Sequence, residues 1–208
     1  MTEFLLLSFE ITGTIAFAVS GAILGLEKRM DILGISILGL TTAVGGGVIR
    51  DLILGITPPM TFRNPIYATI AIATSILVFV IAGKYPIFKG KLYDLIMLIM
   101  DSIGLGVFTV IGINTAYSTD NEYSTFLLIF VGVVTGVGGG VIRDMMAGVA
   151  PYIFVKHFYA SASIIGALSC VAVRPYAGSV TSMFVGTAVI IVLRLCAAKF
   201  RWSLPKAH

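Results

Sequence analysis

Charge is scarce in this chain. Only 12% of its 208 residues are Asp, Glu, Lys or Arg, about half of the roughly 25% usual in soluble domains. Mean hydropathy is +1.03 and 58% of residues are hydrophobic. An ordinary soluble domain is therefore excluded, and the short separators between apolar runs leave no room for one. Cysteine occurs only at positions 170 and 196. Both lie in apolar runs, which reads as packing rather than a disulfide or a metal site. The two histidines are His157 and His208; no HExxH motif, GxSG nucleophile box or paired-aspartate protease signature is present, so neither an enzyme nor a cofactor or metal site is expected. A TVGYG-type filter is missing, so strong selection among monovalent cations has no support in the sequence. The first apolar run, from Phe4, lacks the basic stretch and small-residue cleavage site of a signal peptide and reads as a retained span.

What remains is a polytopic membrane protein. Seven segments reach the roughly 20 apolar residues that a bilayer core requires: residues 4–26, 32–56, 64–83, 93–113, 125–148, 154–173 and 177–199. The separators are Glu27 to Asp31, Pro58-Pro59, Lys84 to Lys91, Thr119 to Tyr123, Pro151 and Arg174-Pro175. Sorting the cations by side puts Lys28, Arg29, Lys84, Lys89, Lys91, Lys156, Lys199, Arg201 and Lys206 on one face. Only Arg63 and Arg174 fall on the other. The positive-inside rule then places the N-terminus outside and the C-terminus in the cytoplasm. It also accounts for the formal charge of +4 without nucleic-acid binding.

The chain also writes one passage twice. AVGGGVIRDLILGITPP at 43–59 returns as GVGGGVIRDMMAGVAPY at 136–152. Gly45, Gly46, Gly47, Arg50, Asp51, Gly55 and Pro58 meet their counterparts 93 residues later in Gly138, Gly139, Gly140, Arg143, Asp144, Gly148 and Pro151. The match extends outward: Glu10, Gly13, Phe17 and Gly21 correspond to Asp101, Gly104, Phe108 and Gly112 at an offset of 91. The unit is therefore three helices used twice, residues 4–83 and 93–173, with a seventh helix, 177–199, appended to one transmembrane domain spanning 1–208. Three spans per unit make the second copy enter from the opposite face, the inverted-repeat plan of many transport proteins.

Three consecutive glycines inside an apolar helix each cost roughly 1 kcal/mol relative to alanine. Close helix packing is one use for them, and Gly132, Gly136 and Gly140 do fall at intervals of four. Packing does not call for three in succession, however. A kink or break in the second and fifth helices is expected, exposing backbone to a polar cavity, with Thr41, Thr42 and Thr135 lining it. At 1.5 Å per residue, Glu10 lies at the depth of Arg50, and Asp101 at that of Arg143. Two charge clusters follow: Glu10 with Arg50 and Asp51, and Asp101 with Arg143 and Asp144, each bordering a mouth of an aqueous route or stapling helices. Arg194 is expected to snorkel to the surface, His157 to be interfacial, and Tyr152, Phe154, Phe158, Tyr159 and Trp202 to sit at the membrane interface.

Two GGGVIRD boxes in a three-plus-three-plus-one arrangement resemble the prokaryotic branch of the trimeric intracellular cation (TRIC) channels, overlapping a bacterial "glycine transporter" domain family. The resemblance covers residues 4–199. It implies a homotrimer in a bacterial or archaeal plasma membrane, with a potassium-permeable pore in each protomer through helices 1–6. It further implies a constriction where the second and fifth helices meet, at Gly45–Gly47 and Gly138–Gly140. The basic lysine-glutamate-valine motif of the animal channels has no match, so their phosphoinositide regulation is not carried over. A secondary transporter for a small zwitterion such as glycine is the competing expectation, because a half-helix terminus with Arg50 or Arg143 suits a carboxylate.

Overall fold

In a computed structural model, residues 2–84, 90–119, 122–155 and 158–202 are described. Lys89, Lys156, His157, Lys206 and His208 lie outside them. The elements are α1 (Thr2–Glu27), α2 (Ile32–Ile53), α3 (Met60–Arg63), α4 (Ile66–Lys84), α5 (Gly90–Ser118), α6 (Thr125–Met146), α7 (Tyr152–Val155) and α8 (Tyr159–Phe200). Six of these helices, all but the four-residue α3 and α7, are long and apolar enough to cross a bilayer. The fold is thus all-helical and polytopic.

Local chemistry sets the helix ends. Asp31 caps α2, accepting from the Gly34 amide at 2.7 Å. Ser124 caps α6, accepting from the Leu127 amide at 3.3 Å. Each side chain satisfies an amide that the first helical turn leaves without a partner. The C-termini of α2 and α6 explain why the duplicated box carries a glycine four residues after its aspartate. Gly55 and Gly148 take φ of 72° and 67°, the left-handed conformation that turns the chain out of a helix. The Ile56 amide then donates to the Asp51 carbonyl at 2.8 Å, and the Val149 amide to the Asp144 carbonyl at 3.0 Å.

Two expectations from the sequence are corrected. Helical backbone continues through Gly45–Gly47 in α2 and through Gly138–Gly140 in α6, so the expected breaks are absent. The middle glycines serve contact instead. A Cβ at Gly46 would collide with the carbonyl oxygen of Thr135, and one at Gly139 with that of Thr42. As the α2 partner moves from 42 to 46, the α6 partner moves from 139 to 135. The two helices therefore cross antiparallel with their backbones touching, which only glycine permits.

The second correction concerns the C-terminal third. The expected spans 154–173 and 177–199 are the two arms of α8, and the helical backbone is interrupted between them at Gly178, at φ 77° and ψ 176°. Arg174-Pro175 was expected to separate them, yet helix continues past Pro175. The turn falls at the residue that tolerates positive φ. The two arms fold back on each other: Gly186 faces the Gly166 carbonyl and Cys170, and Gly166 faces Ile190. Near the turn, Asn114 of α5 accepts from Arg174 at 3.1 Å and from Ser179 at 2.8 Å, which ties both arms to one side chain.

α1 and α5 form the centre. α1 packs on α2, α4 and α5, while α5 packs on α6 and α8. Phe17 and Phe108 meet between α1 and α5 with ring centroids 5.3 Å apart and planes tilted by 34°. The Phe17 ring fills the space over Gly104, and the Phe108 ring that over Gly13.

The crossing predicts a position-specific result. Gly46→Ala and Gly139→Ala should each destabilise the protein by about 1–3 kcal/mol through overpacking. Gly83→Ala, where nothing lies within 4 Å, should melt at or slightly above the parent temperature. Thermal unfolding in detergent distinguishes these outcomes; equal melting of all three would refute the backbone contact.

Candidate functional site

The charged side chains gather at the two ends of the α2–α6 crossing. Because the helices are antiparallel and each arginine follows its middle glycine by one turn, Arg50 and Arg143 point to opposite ends. At both ends the adjacent aspartate holds the arginine: Arg50 Nε and Arg143 Nε each lie 2.8 Å from Oδ1 of the neighbouring Asp51 or Asp144. The other carboxylate oxygen accepts from the first amide of the following short helix, Met60 or Tyr152, at 2.8 Å in each case. Asp51 and Asp144 thus join a charge to a helix start, and both are fully buried.

Beyond this shared frame the ends differ. At the Arg50 end, Glu10 is half-buried and accepts a hydrogen bond from the Tyr67 hydroxyl. It makes no ion pair with Arg50, so the expected direct contact is replaced by a shared cavity. That cavity, about 120 Å³, is lined by Glu10, Thr14, Gly47, Arg50, Asn64 and Tyr67 among others. It has room for several waters.

At the Arg143 end the expected cluster is in direct contact. Asp101 Oδ1 lies 2.6 Å from Arg143 Nη1, and all three of Asp101, Arg143 and Asp144 are 0% exposed. Ser20 of α1 also accepts from Arg143. Two further members were not foreseen. Arg194, expected at the surface, is 4% exposed and places Nη2 3.4 Å from Asp101 Oδ2. Its guanidinium lies 4.7 Å from the centroid of the Tyr159 ring, which is itself buried rather than interfacial. Tyr67 and Tyr159 did leave a signal, since they stand 92 residues apart, within one residue of the repeat offset. Arg194 left none, because its helix lies outside the duplication.

The remaining candidates occupy packed positions. Thr41, Thr42 and Thr135 give their hydroxyls to backbone carbonyls one turn earlier, at 2.9, 2.5 and 2.6 Å. Gly45 faces the Ile142 side chain, Gly138 faces Gly46, and Gly140 faces the Tyr159 hydroxyl. Of the nine glycines and threonines singled out, Gly47 alone lines the cavity. Among the described residues no group of His, Cys, Asp and Glu is arranged to hold a metal ion.

Known proteins share this architecture. A family model described as "Glycine transporter" matches residues 7–83 and 98–175. A solved TRIC cation channel is 36% identical, with a TM-score of 0.83 over 96% of each chain. A prokaryotic TRIC channel crystallised in 0.5 M KCl is 31% identical, with a TM-score of 0.88 over 98% of this chain and 100% of the other. The chain belongs to the prokaryotic TRIC family. Another relative, the UPF0126 inner membrane protein YadS of Escherichia coli K12, is 37% identical over 94% of this chain and 93% of its own. With six apolar helices and these relatives, the TRIC-family chain is an integral membrane protein. The names diverge on cargo: the solved structures are called cation channels, whereas the family model is called a transporter.

The two ends should also differ in how they respond to losing a carboxylate. Asp101→Asn leaves buried Arg194 without its carboxylate and Arg143 with Asp144 alone, and should cost about 3–5 kcal/mol. Glu10→Gln, which alters one half-buried hydrogen bond, should cost about 0.5–1.5 kcal/mol. Denaturation of the purified variants in detergent gives the comparison, and an equal loss would contradict the difference in burial.

Proposed function

We propose that this protein is a potassium-permeable monovalent cation channel, a homotrimer in a bacterial or archaeal plasma membrane with one path in each protomer. The path runs between the two repeats, past the cavity at the Arg50 end, across the glycine contact of α2 and α6, and out at the Arg143 end. On this reading the two arms of α8 are separate spans, which gives seven, and the three-helix repeats are inverted. The N-terminus and the Arg50 end then face outside, and the Arg143 end faces the cytoplasm. Gly45–Gly47 and Gly138–Gly140 form the constriction, with Thr41, Thr42 and Thr135 beside it. Glu10, Arg50, Asp51, Asp101, Arg143 and Asp144 border the mouths.

The observation that carries the reading is the cavity beside Glu10. It reaches from a half-buried carboxylate to Gly47, next to the crossing, and the one cation in its wall, Arg50, is paired with Asp51 behind it, at 2.8 Å, rather than with Glu10. A cation entering there exchanges water for carboxylate and hydroxyl oxygens. Likeness to solved TRIC cation channels over nearly the whole chain supports the same conclusion.

A zwitterion transporter is the second reading, favoured by one feature. A cavity at one end and dense packing at the other is the asymmetry that alternating access requires. Against it, Arg50 directs both Nε and Nη2 to Asp51 at 2.8 Å, so a substrate carboxylate would approach a guanidinium beside a competing carboxylate.

Planar-bilayer recording on purified protein separates the two. Discrete potassium currents are expected, and Thr14→Leu, which introduces at the Arg50 end the residue found at position 105, should reduce conductance several-fold by filling the cavity. Absence of current together with saturable glycine uptake into liposomes would overturn the channel reading.

A further inference from the structure

The two ends are built from matching parts. Glu10, Thr14, Gly47, Arg50, Tyr67 and Phe108 correspond to Asp101, Leu105, Gly140, Arg143, Tyr159 and Phe17. The first set surrounds a cavity. Among the described residues the second is packed: Leu105 and Tyr159 join Val137 and Ile190 in one buried cluster, and the Tyr159 hydroxyl lies where a Cβ on Gly140 would come within 2.8 Å of it. The shared frame cannot cause this difference, since the Arg-Asp pairs and their hydrogen bonds are the same at both ends.

Arg194 can cause it. It comes from the arm of α8 beyond Gly178, which has no twin in the first half of the chain. It holds two things at once: the free oxygen of Asp101, at 3.4 Å, and the face of Tyr159, at 4.7 Å from the ring centroid. A planar guanidinium suits both contacts. Tyr67, at the other end, has no cation over its ring among the described residues and turns its hydroxyl to Glu10. We propose that Arg194 is a latch: by clamping Asp101 and Tyr159 together, the C-terminal arm of α8 holds the Arg143 end of the path shut.

Two features set how firmly it holds. Among the described residues Arg194 Nε, the Tyr159 hydroxyl and Arg143 Nη2 find no hydrogen-bond partner, so water entering an opened end would meet donors able to bond it. Charge changes with it. With Arg194 in place, two arginines balance Asp101 and Asp144. Once it swings away, the end carries the same single negative excess as the Arg50 end. Release of the latch thus opens a cavity and makes it attractive to cations in one movement.

This inference rests on the conduction reading for its purpose but can be tested without current. In a background of Cys170→Ala and Cys196→Ser, Leu105→Cys reports the closed end and Thr14→Cys the cavity. Both are assayed in nanodiscs, where a membrane-impermeant methanethiosulfonate reagent reaches either face. Adding Arg194→Gln should raise the labelling rate of Leu105→Cys roughly tenfold or more and leave that of Thr14→Cys unchanged. Arg194→Lys, which keeps the charge but not the planar stack, should fall between. Equal Leu105→Cys rates in all three backgrounds would overturn the latch, as would a parallel rise at Thr14→Cys, which marks general loosening of the bundle. In bilayers Arg194→Gln should raise open probability. Silence of parent and variant alike would remove the conduction reading, while the labelling result still decides the latch.

Discussion

The backbone contact between α2 and α6 organises everything around it. Helices with ordinary side chains pack about 8–10 Å apart; Gly46 and Gly139 remove the side chains that would enforce that spacing, and each meets the other helix at a threonine carbonyl. The contact is reciprocal and antiparallel, so it fixes register as well as distance. Arg50 and Arg143 follow their glycines by four residues, and about 6 Å of helix rise carries each away from the crossing in an opposite direction. The depth of both charge clusters is therefore a consequence of one contact. Thr42 and Thr135 complete it by bonding their hydroxyls to their own helices, which leaves their outer surfaces to pack against Gly21 and Gly112.

Much of this could be read from the residues because the duplication carried depth information. Matching Arg50 to Arg143 and Glu10 to Asp101 pointed to the contact of Asp101 with Arg143, whereas at the other end Glu10 and Arg50 share a cavity without pairing; the antiparallel use of the box followed from counting spans. The triple glycine was harder. A break and a close contact both call for glycine, and the sequence does not say which neighbour will arrive. Only the partner carbonyl, more than 80 residues away, distinguishes them. The aspartate of the box was likewise ambiguous, since a carboxylate beside an arginine reads as a charge pair. Its second role, accepting from the amide of Met60 or Tyr152, depends on a four-residue helix too short to announce itself in an apolar pattern. Arg194 was misplaced for a related reason. Near a helix end and a basic terminus, snorkelling is the default, and burial required Asp101 from a helix that begins about 100 residues earlier in the chain.

A duplicated sequence need not give two equal halves. The repeated frame is conserved in geometry down to matched 2.8 Å hydrogen bonds, yet one end is open and the other filled. The differences reside in residues that the frame does not constrain: threonine against leucine at 14 and 105, methionine against tyrosine at 60 and 152. To these the unrepeated arm of α8 adds a cation. The frame holds the helices in place, and the variable positions line the cavity at one end and fill the described packing at the other.

Arginine beside the proposed cation path is at first sight a contradiction. It eases once the charges are taken in groups. Each box arginine shares Oδ1 of the very next residue at 2.8 Å, so an Arg-Asp unit presents a dipole rather than a net charge. What an approaching ion senses is then the carboxylate outside the box, Glu10 at one end and Asp101 at the other. Glu10 is half-buried on a cavity and its partner is a neutral hydroxyl, so its charge stays uncompensated. Asp101 is compensated by Arg143 and again by Arg194. The box arginines therefore need not repel cations, because their work is to hold an aspartate and a helix end in position. Attraction is left to α1 and α5, and at the α5 end it depends on where the last arm of α8 places one guanidinium.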